Sequence, residues 1–423
     1  MKNKILKGPI MTLLVGLVLY GILNSEKITQ QKQETNLIGT YINGKLASTI
    51  PSKTDGYIVE KIVCDNNTVG KWDDDNWGLS LTNLTKKSKC NVYFRTNPVN
   101  NIIKELDTTG SCPTVNTDGS VNVASAESEN SLLCSAPDNY GTSYYFRGNV
   151  SNNYVKFANF YWRIVRINGD GSIRVIFDGT TAHANGESSE DRIIGYSAFN
   201  EKSDDNAYIG YMYGTPGSST YEETHANIND STIKKYIDNW YKNNLEGTAY
   251  EQYLADNIFC NDRTILNENI DGYSNKGYSK EKTAYIWYTT PWSSNRNVSI
   301  NCKNQNDAFT LKNKNGNKSL KYAIGLLSAD ELVLAGGFSG DSQKYYLYSK
   351  TYYWLSSPSR FTSIYANMHD SRLVGYPSTG NNSTSGNHVS YSGGVKPVIN
   401  LKPQSILYGN GTINNPYRAT DEL

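Results

Sequence analysis

Tyr352-Tyr353-Trp354-Leu355-Ser356-Ser357-Pro358 and Gly393-Gly394-Val395-Lys396-Pro397-Val398-Ile399-Asn400-Leu401 bracket the stretch whose reading decides the fold. Each end reads as a short buried strand, apolar or aromatic and bounded by Ser, Pro and Gly. The long run between them is polar and rich in Ser, Asn, Tyr and Gly. A framework that fixes both ends of such a run presents its middle as a binding surface.

Working outward from there, Tyr322-Ala323-Ile324-Gly325-Leu326-Leu327 is a buried strand candidate. Ser328-Ala329-Asp330-Glu331 is a capping box that opens a short helix through Leu332, Val333 and Leu334, stopped by Gly336-Gly337. Residues 161–167 and 172–177 alternate with period two around Asn168-Gly169-Asp170-Gly171, the strongest hairpin signal in the chain. Inward apolar and outward arginine positions in these runs suit a half-exposed sheet, with the arginines expected in solvent. Two helices are predicted between these regions. Asp230 or Ser231 caps the first, which carries Ile233, Ile237, Trp240 and Tyr241 on one face. Thr248-x-x-Glu251 caps the second, with Tyr250, Tyr253 and Leu254 as its apolar face. The segment from there to Cys302 is loop-rich, with a strand expected at residues 284–288.

Nearer the N-terminus, residues 37–97 read as a small β-rich module. Asn43-Gly44 turns one strand pair, and residues 57–64 and 90–94 supply further strands. The acidic turn Trp72-Asp73-Asp74-Asp75-Asn76-Trp77 lacks the spacing of a calcium loop and reads as an exposed turn pinned by two tryptophans. Residues 98–143 read as a connector containing a disulfide loop. Residues 144–403 form the main domain and residues 404–423 a tail.

At the start of the chain, Lys2, Lys4 and Lys7 precede an apolar run over residues 9–23. As a helix that run is ~22 Å long, shorter than a hydrocarbon core of ~30 Å. Residues 1–24 therefore read as a signal peptide or signal-anchor, and residues 25–36 as a polar linker. The expectation is an exported chain, anchored at the membrane with extracellular domains, or secreted if the segment is cleaved. Cys64, Cys90, Cys112, Cys134, Cys260 and Cys302 make an even set, which behind an export signal implies disulfides. Pairing neighbours keeps each bridge inside one candidate domain, but spacing does not choose among the 15 pairings open to six cysteines.

Charge excludes some functions. The chain has 41 Lys and Arg against 40 Asp and Glu, which argues against a dedicated nucleic-acid binder. There is no C-x-x-C, and the four histidines lie far from the cysteines in sequence, so no metal site or cofactor is expected. Nucleophile elbows, zinc-protease helices and phosphate loops are absent. Ser231-x-x-Lys234 and Ser279-x-x-Lys282 lack the companion motifs of a serine–lysine acyl enzyme.

Five segments carry a resemblance: Phe160-Tyr161-Trp162-Arg163-Ile164-Val165-Arg166, Ile258-Phe259-Cys260-Asn261-Asp262-Arg263, Ser328-Ala329-Asp330-Glu331-Leu332, Tyr353-Trp354-Leu355-Ser356-Ser357-Pro358 and Gly394-Val395-Lys396-Pro397-Val398-Ile399-Asn400-Leu401. Together they resemble an uncharacterised C-type-lectin-like domain family of exported bacterial proteins, similar in fold to the formylglycine-generating, sulfatase-modifying enzymes. The resemblance implies an α+β fold: a twisted, mostly antiparallel sheet, two flanking helices and much loop, after the small all-β module and the N-terminal apolar helix. No cysteine follows Cys302, so the oxidase cysteine pair of those enzymes is missing. The E-P-N or Q-P-D and W-N-D triplets of calcium-dependent lectins are missing too. What remains is a scaffold presenting residues 359–391, with Arg360, Tyr365, Asn367, His369, Arg372, Tyr376 and Tyr391 as expected contacts to a protein or glycan at the cell surface. The alternatives are a glycan-acting or cell-wall enzyme, with His225, His369 or His388 as base, and a structural subunit of a surface appendage.

Overall fold

The computed structural model describes residues 38–74, 76–85, 88–123, 130–266, 272–288, 297–337, 345–372 and 386–420. The N-terminal apolar segment lies outside them, as does the part of the polar run that holds Tyr376, residues 373–385. The chain divides into two compact units, residues 1–100 and 101–423.

In the first unit, strand Ile38–Ile42 turns through Asn43 and Gly44, at φ 48° and 78°, into Lys45–Ala47. Both central residues of such a turn need positive φ, which asparagine and glycine tolerate. Ile38–Ile42 also runs parallel to Cys90–Thr96, which pairs antiparallel with Tyr57–Cys64. That register sets Cys64 opposite Cys90, and the two are bridged. Val59, Leu79, Val92 and Phe94 form the core. Trp72 and Trp77 meet edge-on at 5.2 Å, and each also packs against Phe94. Asp73 closes the acidic turn by accepting bonds from the backbone and side chain of Asn76.

The second unit is built on a seven-stranded sheet. Its path runs Ile324–Gly325, Val398–Leu401, Ile173–Gly179, Phe160–Ile167, Gly141–Arg147, Leu132–Asp138, with Tyr154–Phe157 as a further partner of Phe160–Ile167; every pairing is antiparallel. One strand, Leu132–Asp138, and the start of Gly141–Arg147 thus come from the expected connector. The expected tail also joins this unit: Tyr154 and Lys156 donate backbone bonds to the carbonyls of Gly411 and Tyr417.

The two ends of the opening stretch enter different sheets. Val398–Leu401 lies in the central sheet, whereas Trp354–Phe361 pairs with Thr283–Ala284 and Ala366–Asp370 in a four-stranded sheet that ends at Asn387–His388. The ends still touch, because Tyr353 bridges Gly394. A Cβ on Gly393 would come within 2.6 Å of the Trp354 indole, so glycine is required there. Lys396, in the closing motif, is buried 3.3 Å from Asp178, and desolvation pulls it down to about 8.

The expected α+β, C-type-lectin-like arrangement is corrected to a mainly β fold. The first flanking helix forms as read: Thr232–Asn244, with Ser231 Oγ accepting from the Lys234 N–H. The second shrinks to a single 3₁₀ turn, Glu251–Tyr253. The Glu251 carboxylate is taken by the Gly247 N–H and the Tyr241 hydroxyl, while Leu254 and Ala255 are drawn into backbone pairing with Leu401 and Asn400. Backbone committed to a sheet edge cannot continue a helix. Among the described residues, Thr232–Asn244 is the only α-helix longer than six residues, and no helix is long and apolar enough to cross a membrane. The strand expected at residues 284–288 is short, Thr283–Ala284, and passes into a 3₁₀ turn at Ile286–Tyr288.

The arginines expected outside are inside. Arg163, Arg166 and Arg174 are 0%, 5% and 1% exposed. The sheet is covered where they project, and each guanidinium is met by partners. Arg163 donates to Val150, Asn153 and Asn185, and Arg174 to the Ile258 carbonyl and Glu331.

Three disulfides form between neighbouring cysteines: 64–90, 112–134 and 260–302. No free cysteine remains, which fits an extracellular or secreted protein.

Candidate functional site

The residues expected to make surface contacts separate into two groups. Asn367 and His369 are 2% and 1% exposed and face inward. Asn367 donates to the Tyr365 carbonyl, and His369 Nε2 donates to the Trp287 carbonyl at 3.2 Å. Burial lowers His369 to about 4, so its ring is neutral at physiological pH. Arg360 is half-buried, with its guanidinium 5.4 Å from the Tyr288 ring. Arg372 pairs with Asp370 at 2.7 Å and covers the Tyr352 ring.

Tyr365 and Tyr391 form the outward group, 42% and 54% exposed. They stand on either side of His388, with centroid distances of 4.1 and 4.8 Å and nearly parallel rings. Ile364 beside them is 60% exposed. The strand turn at Thr362 and Tyr365 and the register of Asn387–His388 against Asn367 and Met368 create this stack. In sequence, His388 stood out only as a candidate base. Among the described residues, no carboxylate is hydrogen-bonded to His369 or His388.

A second feature has no counterpart in the sequence reading. A cleft of about 270 Å³ opens in the second unit where chain-distant segments converge, bringing together Asp118, Tyr140, Asp262, Trp287, Ser299 and Asp330. Its floor is a buried ion network. Arg166 reaches Asp138 and Glu331 at 3.0 Å each, and Arg174 also binds Glu331. The capping box forms in full: Ser328 Oγ accepts from the Glu331 N–H, and Glu331 accepts from the Ser328 N–H. Burial pushes Glu331 up, but Arg174 and Arg166 outweigh it and hold the carboxyl below its ordinary range.

Asp330, one residue earlier, has the opposite surroundings. One carboxylate oxygen accepts from Trp287 Nε1 and the other from the Ser299 N–H, each at 2.9 Å. No cation pairs with it among the described residues. Desolvation, helped by the nearby negative charge of Asp262, raises it to about 7 despite those two bonds. Asp262 spends one oxygen on an Asx turn with Thr264. The sequence placed Asp330 in a first helical turn, where acidic residues are common for dipole reasons alone. Nothing local showed that Trp287 and Ser299 would meet there.

The remaining candidates are structural. Ser231 is a helix cap, Lys234 pairs with Asp238 at 2.7 Å, and His225 is buried with its Nε2 on the Gly277 carbonyl. Among the described residues, no group of three His, Cys, Asp or Glu side chains is placed to hold a metal ion. Compared with known protein families, curated proteins and solved structures, the chain has no match.

Proposed function

We propose that this is an exported binding protein, held at the membrane by its N-terminal segment, that recognises a glycan through the Tyr365–His388–Tyr391 stack. The observation that carries the reading is the stack itself, two exposed tyrosines on either side of a histidine on the face of the Trp354–Phe361 sheet. An aromatic plane offers an apolar face with a polar rim, which matches a saturated sugar ring with its apolar C–H face and hydroxyl edge. Burial and Arg360 lower His388, so neutral rings meet the ligand and salt should matter little. Tyrosine supplies this area at low conformational cost.

The test is a glycan array followed by titration calorimetry with the full-length chain. Tyr391→Ala and Tyr365→Ala should each weaken binding by about tenfold with the melting temperature unchanged. Saturable binding that survives both changes overturns the reading, as does binding confined to protein ligands.

A further inference from the structure

We propose that the cleft between the Ala329–Leu334 helix and Trp287 is a second binding site, for a small organic cation with a primary ammonium group on a short saturated stem. This does not rest on the aromatic stack, which uses other residues. Ligand pockets commonly span ~300–1,000 Å³. At about 270 Å³ the cleft is sized for a small molecule.

Charge balance points to the ligand's sign. Among the described residues, eight charged groups line the cleft: five acids and three bases. Arg166 and Arg174 are matched internally by Asp138 and Glu331, so the floor adds no net charge. Lys303 faces Asp118 and lowers its carboxyl, after the larger effect of the Ser120 hydrogen bonds. Asp262 and Asp330 are left without a cation among the described residues. Two carboxylates in a partly desolvated space disfavour each other's charge, and a single ammonium relieves both. The orienting bonds from Trp287 and Ser299 take one lone pair on each Asp330 oxygen and leave another on each for a ligand N–H. Trp287, Ile286 and Ile300 supply apolar wall for the stem. A bare divalent ion fits less well: calcium takes ~6–8 oxygen ligands, and no three-carboxylate cluster exists among the described residues.

Binding must then be linked to protons. Desolvation and Asp262 raise Asp330 to about 7, and an ammonium favours its ionised form. Below that pH a proton leaves as the ligand binds, and affinity rises with pH until Asp330 is ionised in the free protein.

The experiment is titration calorimetry of the full-length chain in mild detergent at low salt, with cadaverine and with Nα-acetyl-lysine amide, at pH about 5.5 and about 8. The expected result is saturable binding of at least one amine at the higher pH, weaker by about tenfold at the lower, with proton release in buffers of different ionisation enthalpy. Binding of cadaverine alone assigns a free diamine, and binding of the lysine amide assigns a lysine side chain. Asp330→Asn and Asp262→Asn should each weaken binding by about tenfold. Asp262→Asn keeps the Thr264 turn, since an asparagine oxygen accepts the same bonds, so it remains decisive if Asp330→Asn unfolds. No saturable heat from either amine at the higher pH overturns the proposal. So does affinity unchanged in a folded variant, or calcium binding at these residues in place of both amines. Failure here leaves the Tyr365 and Tyr391 test untouched.

Discussion

Glu331 and Asp330 are neighbours on one helical turn, yet they belong to opposite electrical environments. Glu331 is buried against two guanidiniums and held below its ordinary range; among the described residues Asp330 meets neutral N–H donors and no cation, and it is raised to about 7. Burial alone penalises both carboxylates. The difference shows that the partner, not the depth, decides whether a carboxylate in this protein stays charged. On one side the charges are spent on holding the fold together. On the other, charge is left facing a cleft.

The paired side should break hardest. Glu331→Gln leaves Arg166 and Arg174 short of a counter-charge and should cost about 3–5 kcal/mol in urea unfolding. A loss under ~1 kcal/mol would mean that Asp138 and main-chain carbonyls satisfy the pair unaided. Next comes the frame between the two sides. Cys260 lies in the cleft lining and is bridged to Cys302, whose N–H donates to Asn139, another lining residue. Replacing both cysteines with serine should lower stability by about 2–4 kcal/mol, read by thermal unfolding, and should weaken any cleft ligand as well.

The unpaired side should respond through pH rather than through a large loss. A carboxyl raised on folding stabilises the native state below its unfolded value near 3.8, and that stability is lost as pH rises through about 7. Asp330→Asn removes this decline. From pH about 5 to about 8 the variant should gain on the wild type by about 2–3 kcal/mol, seen as converging or crossing melting curves. Parallel curves would mean that Asp330 is not the group that titrates. The smallest effect belongs to a solvated pair. Lys280 and Asp204 meet at 3.2 Å but are 63% and 65% exposed, and Lys280→Ala should change stability by less than about 1 kcal/mol.

Much of the local structure was legible. The Asn43-Gly44 and Asn168-Gly171 turns, the Ser231 cap and the Ser328–Glu331 box each depend on a few adjacent residues and formed as read. That the six cysteines are oxidised was legible too, but their pairing was not: the structure chose neighbour with neighbour, each bridge closing a loop within one compact unit. The missed features depend on what lies across the fold. Period-two alternation tells which residues share a face, not whether that face meets water, so Arg163, Arg166 and Arg174 were read as solvated. The second helix had a cap and an apolar face, yet sheet-edge pairing at Leu254 and Ala255 won its backbone. Two of the three rings of the candidate contact face, Tyr365 and Tyr391, were visible as tyrosines. Its third ring, His388, emerged only from strand register.

The sequence by itself determined the turns, the caps, the strands around Trp354 and Val398 and the oxidised cysteines, because these are set by short-range sterics and by residue chemistry. The tertiary structure alone decided that the two ends of the opening stretch enter different sheets, that buried arginines find carboxylates distant in the chain, and that Asp330 has no cation beside it among the described residues. Charge state follows from the groups within a few ångströms in space. For Asp330 those are Trp287, Ser299 and Asp262, which no local pattern connects to it.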